Sequence, residues 1–165
     1  MDFVIVIGFA IGAVLGIAGS QVTAPSIQST LYEISSLGLI TAAMLTGIRL
    51  LRSGFDSVAA GFLTLALAEA IMSSGTALGQ MGGQASFGAG MALYGPALLM
   101  ISVPTVLPLW VRATGILSCI AFLIAGFMIF GGEQVLPVAT LPTVGYSLLT
   151  VSDIGWIYCV VKKKI

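Results

Sequence analysis

The sequence predicts an all-α, polytopic integral membrane protein: a single compact bundle of about six transmembrane helices with short loops. Three observations predict it. Of the 165 residues, 58% are hydrophobic and 7% charged, with a mean hydropathy of +1.14; an ordinary soluble domain has roughly 45–50% apolar and about 25% charged residues. Apolar stretches of about 18–25 residues follow one another, the length that crosses a hydrocarbon core of about 30 Å. Those stretches are continuous rather than alternating at every second residue, which argues against a β-barrel. The spans are expected at 3–24, 30–51, 56–80, 87–110, 113–130 and 143–161, in one domain.

The first span begins at Phe3 behind Asp2, with no Lys or Arg before it. The positive n-region of a signal peptide is therefore missing, and a retained helix is expected. Gly8, Gly12, Gly16 and Ser20 recur every four residues. Such a row lets another backbone come close in lipid, either inside the chain or on a separate protein. A short polar turn with Pro25 leads to the second span, which carries Glu33 near its start and Arg49 and Arg52 at its end.

The third span holds Glu69, with Ser73, Thr76 and Gln80 following at helical spacing, so all four are expected on one face. Residues 80–90, rich in glycine, read as a flexible connection; they lack the lysine and spacing of a phosphate-binding loop. The fourth span contains Pro96, Pro104 and Pro108 and is expected to be kinked or partly broken. Arg112 marks the next turn. After the fifth span, a connection with Glu133, Pro137 and Pro142 leads to the sixth, which contains Thr150 and Asp153 and ends at Lys162, Lys163 and Lys164.

Six alternating spans place Arg49, Arg52, Arg112 and the three lysines on one side. The positive-inside rule makes that side cytoplasmic, with both termini inside, and the expected location is a prokaryotic cytoplasmic membrane. Trp110, Trp156 and Tyr158 fall near the same helix ends, where aromatic residues favour the interface.

Glu69 and Asp153 carry the chemical interest. Counted from Asp56 and Lys162 at about 1.5 Å per residue, they lie roughly 20 Å and 14 Å from the inner ends. An acidic residue at that depth costs about 2.5–3.5 kcal/mol on insertion scales, so it usually faces the bundle interior. Either is a candidate proton carrier. Glu69, Ser73, Thr76 and Gln80, with Thr150 and Asp153 opposite, form a candidate binding or proton site. The competing expectation is a satisfied hydrogen-bond cluster. The inner half of the third span is polar only at Thr64 and at glycine, so a blind pocket opening outward fits better than a conduit.

Other chemistries do poorly. Net charge is zero and histidine is absent. Nucleic acid is not an expected partner, and the usual zinc and haem ligands and the usual general base are missing. No metal or other cofactor is expected. Cys119 and Cys159 fall inside apolar spans and read as small buried residues. No serine sits in a nucleophile elbow. Intramembrane aspartyl proteolysis would want two aspartates in the membrane, and a retinal Schiff base a lysine within a helix.

In size, helix count and its Gly8–Gly12–Gly16 row, the chain is similar to the substrate-capturing subunits of energy-coupling-factor vitamin importers. That resemblance implies packing against a partner through the small-residue face; no vitamin-family signature accompanies it. Two functions are expected. The favoured one is an accessory subunit of a larger membrane complex, with a membrane-protein partner or a second copy in the bilayer. The alternative is a small proton-linked transporter, channel or substrate-capture subunit with a polar pocket around Glu69.

Overall fold

The computed structural model describes residues 1–78 and 82–163. Its elements are six α-helices: α1 Asp2–Gln21, α2 Pro25–Arg52, α3 Asp56–Ser74, α4 Gln84–Ser102, α5 Leu109–Phe130 and α6 Thr140–Val161. A 3-10 turn at Thr76–Leu78 follows α3. All six helices are long and apolar enough to cross a membrane. Even α3 and α4, at 19 residues each, reach about 28 Å, close to the thickness of a hydrocarbon core.

Each helix packs against its neighbours in sequence and α1 returns to α6, so the six close into a ring. Connections such as 22–24 and 53–55 are too short for anything but antiparallel neighbours. The α1–α2 contacts step accordingly: Gly8 lies against Gly38 and Ala42, Gly12 against Leu39, Gly16 against Ser35 and Gly19 against Tyr32. A Cβ on Gly8 would stand 2.6 Å from the Gly38 carbonyl oxygen. Only glycine permits that approach, and in lipid such van der Waals contact is a main source of helix association.

Close approach also lets side chains reach the next helix's backbone. Ser35 Oγ donates to Gly12 O at 2.7 Å, Ser118 Oγ to Gly145 O at 2.8 Å, and Cys119 Sγ to Gly95 O at 3.4 Å. In each case the acceptor belongs to a glycine on the facing helix. Interhelical hydrogen bonds in membranes average about 0.6 kcal/mol, so the three act as registration more than as glue. Both cysteines are buried.

Several boundaries differ from expectation. Helix α2 begins at Pro25, inside the expected polar turn, because a first-turn proline lacks only an N–H that the helix would not use. Helix α3 stops at Ser74 and gives way to the 3-10 turn. Glu69 and Thr76 therefore do not share one unbroken α-helical face, and Gln80 lies outside the described residues.

Helix α4 starts at Gln84, so most of the expected flexible connection is helical. Its glycines serve contact: Gly88 meets Ile129, and Gly90 meets Met72 and the Ala68 carbonyl. The fourth span was expected to run to Trp110, but α4 ends at Ser102. Pro104 lies in the connection and Pro108 is the N-cap of α5, because neither can supply the N–H that a continuing helix needs. Arg112 thus falls in the first turn of α5. Its Nε donates to Ser102 O at 2.7 Å and its Nη2 to Val103 O at 2.8 Å, closing carbonyls that the end of α4 leaves free.

One end of the ring carries Arg49, Arg52, Arg112, Lys162 and Lys163 together with Asp2 and Asp56. Arg49 Nη1 meets Asp2 Oδ1 at 2.6 Å, tying the start of α1 to the end of α2. Lys164 lies outside the described residues.

Candidate functional site: a blind cavity floored by two carboxyl groups

The ring is filled at the cationic end and hollow towards the other. The filling is aromatic. Phe9 of α1, Phe62 of α3 and Trp156 of α6 are buried, with ring centroids 5.3 Å apart for Phe9–Trp156, 4.9 Å for Phe62–Trp156 and 6.3 Å for Phe9–Phe62. Trp156 is not an interfacial residue, as its position in the sequence suggested. It points inward because Phe9 and Phe62 offer it a packed seat, whereas Trp110 and Tyr158 are exposed.

Next to this plug lies a cavity of about 320 Å³. Its walls come from α1 (Gly12, Gly16, Ser20), α2 (Tyr32, Ser35, Ser36, Leu39), α3 and the following turn (Glu69, Met72, Ser73, Thr76), α4 (Phe87) and α6 (Thr143, Tyr146, Ser147, Thr150, Asp153). From Thr143 to Asp153 it follows α6 for about 15 Å. A smaller hollow of about 80 Å³, lined by Gln28, Ser29, Gly75 and Gln84, shares Tyr32, Met72, Thr76, Phe87 and Pro137 with it. The shared walls make a vestibule at the end away from the cations. The buried plug closes the cavity at the cationic end, and its lining continues towards the opposite end, which carries Glu33 and Glu133.

Glu69 and Asp153 are buried and both line the cavity. Their surroundings differ. Ser36 Oγ donates to Glu69 Oε1 at 2.5 Å, and the Tyr94 hydroxyl donates to Glu69 Oε2. Helices α2, α3 and α4 thus meet at one carboxyl group. Tyr94 is in turn held by Phe122, which meets Tyr146 edge-on, with centroids 4.8 Å and 5.0 Å apart. Asp153 has no such frame. Its Oδ1 is one of two buried side-chain polar atoms without a hydrogen-bond partner among the described residues, the other being Trp156 Nε1. Glu69 and Asp153 are electrostatic neighbours, and among the described residues no Lys, Arg or His lines the cavity.

The structure brings Glu69, Ser73, Thr76, Thr150 and Asp153 to one cavity. Ser73 Oγ and Thr150 Oγ1 donate to carbonyls of their own helices, at 3.1 Å to Ala70 O and 2.9 Å to Tyr146 O. Gly12, Gly16 and Ser20 form the cavity's α1 wall, and Gly8 packs against α2 below it. Arg49, Arg52, Arg112, Lys162 and Lys163 stand at the far end and take no part. Sequence reasoning missed Ser36 and Tyr94, the two hydroxyls on Glu69, and the aromatic plug. A signal for the first existed: equal steps back from the tight turn at 53–55 lead from Glu69 to within a turn of Ser36.

Among the described residues no group of three or more His, Cys, Asp or Glu side chains could hold a metal ion. The fold and cavity define an all-helical chain of six membrane-length helices around a blind, acid-floored cavity. Comparison with protein-family models, curated proteins and solved structures finds no match to the chain.

Proposed function

We propose that the chain is a solute-binding membrane protein, acting as a small transporter or as the capture subunit of one. It takes its ligand into the cavity from the face opposite the cationic end. The observation that carries this reading is the blind cavity itself. Its volume falls within the range of about 300–1,000 Å³ usual for ligand sites. Its floor also holds two carboxyl groups in the interior of a membrane-length bundle, where acidic side chains are costly and usually functional.

By the positive-inside rule the cationic end faces the cytoplasm, so the mouth faces outward. Two neighbouring acids without a cationic side chain beside them form a site that balances its charge with a proton or a positively charged ligand. That is the chemistry of proton-linked binding. Gly8, Gly12 and Gly16 are engaged with α2 inside the chain, which removes one of the features behind the subunit reading and leaves its short loops.

Cysteine substitution tests the mouth and its side. Thr150→Cys, half-way down the cavity, should react with a small membrane-impermeant thiol reagent added outside intact cells. Leu50→Cys, buried on the cationic side of the plug, should not. Both native cysteines are buried, which keeps the background low. Failure of Thr150→Cys to react from outside, with its reactivity confined to the cytoplasmic face, would reverse the proposed access.

A further inference from the structure

We infer that the cavity binds a small organic cation, its positive group against Asp153 and its apolar body along Leu39, Met72, Phe87 and Leu149. This rests on the reading of the cavity as a ligand site and names the class of ligand.

The first argument is the contrast between the two carboxyl groups. Glu69 has a hydroxyl donor on each oxygen, so it is already coordinated by the protein. Asp153 is 3% exposed, lines the same cavity and has a buried Oδ1 without a partner. A buried polar group left unmatched costs about 1–3 kcal/mol, more when charged, and native structures rarely leave one without a reason. Among the described residues nothing balances the Asp153 carboxyl, and the group best matched to an aspartate in this setting is a positive charge.

The second argument is selectivity by sign. Among the described residues the cavity holds two acids and no basic side chain. An anion would meet like charge with nothing to offset it, while a neutral solute would leave Asp153 to be balanced by a bound proton. A cation is the ligand that removes both costs.

The third argument is shape. About 320 Å³ is room for roughly ten waters at their liquid share of about 30 Å³ each, far more than a bare metal ion or proton requires. Leu39, Met72, Phe87 and Leu149 supply apolar wall on several sides. Tyr146 and Tyr32 add aromatic rings, whose faces attract ammonium groups. An amine or quaternary ammonium carried on a compact apolar body satisfies floor and walls together.

The test compares three ligands with one benzyl body: benzyltrimethylammonium, benzyl alcohol and phenylacetate. Each is measured by equilibrium dialysis against the full chain in lipid nanodiscs. Benzyltrimethylammonium should bind about tenfold or more tightly than benzyl alcohol, and phenylacetate most weakly. Asp153→Asn should erase the preference for the cation, and Asp153→Glu should restore part of it. Thermal unfolding of each variant reports whether the bundle survives. If Asp153→Asn does not fold, the ranking of the three ligands on the unaltered protein still decides. Equal or tighter binding of the alcohol or the acid overturns the cation assignment and leaves the cavity reading standing. Binding of none of the three overturns both.

Discussion

The cationic half of the ring and the hollow half are built from the same six helices and do opposite things with their interiors. In the cationic half, Phe9, Phe62 and Trp156 meet at the centre and glycines draw the backbones together around them. In the hollow half the same α1–α2 seam continues through Gly12 and Gly16, but the centre holds hydroxyls, two carboxyl groups and empty volume. Helix α1 shows the change along its own length. Its first half wedges Phe9 into the plug, and its second half is a smooth cavity wall. A membrane bundle can therefore separate holding itself together from holding something else along the axis of one set of helices.

Removing the plug is the severest way to break this division. Trp156→Ala should cost about 3–5 kcal/mol, the range for emptying a large buried aromatic site. It should also extend the cavity towards the cationic end. Thermal unfolding in detergent reads the first effect, and labelling of a Thr150→Cys reporter from the cationic side the second. An unchanged unfolding temperature would mean that the plug is not where stability resides.

Adding one methyl group to each half of the same seam sharpens the contrast. Gly8→Ala places a Cβ 2.6 Å from a backbone carbonyl that cannot step aside, and should cost about 1–3 kcal/mol. Gly16→Ala meets only the Ser35 hydroxyl, at 3.2 Å, and should stay within about 0.5 kcal/mol of the unaltered protein. Equal losses in the two variants would erase the distinction between the halves.

At the boundary, Tyr94→Phe takes the donor from Glu69 Oε2 and should destabilise by about 1–3 kcal/mol. In a Glu69→Gln background the same substitution should cost less, which a double-mutant cycle measures. The smallest effect belongs to the rim. Asp2→Asn breaks a half-exposed ion pair with Arg49 and should cost less than about 1 kcal/mol, with the difference shrinking as salt is added.

The six helices were legible in the sequence because apolar run length is a direct reading of membrane thickness. Glu69 and Asp153 stood out because charged residues are rare in such runs, and both do line one cavity. What the sequence hid depends on neighbours. Ser36 and Tyr94 are ordinary residues in their own helices and gain meaning only through the register in which α2 and α4 pass α3. Trp156 misled for the same reason: near a helix end it suits the interface, until Phe9 and Phe62 supply a better place. Prolines 104 and 108 looked like kinks because hydropathy continues across them, yet their missing N–H groups ended one helix and capped the next.

The closure of the ring through α1 and α6 has a consequence for biogenesis. At a synthesis rate of roughly 5–20 residues per second, Trp156 leaves the ribosome on the order of ten seconds or more after Phe9. Until then the chamber has no α6 wall, its floor lacks one of its two acids, and the seat between Phe9 and Phe62 is empty. The last helix to be made thus completes both the plug and the cavity.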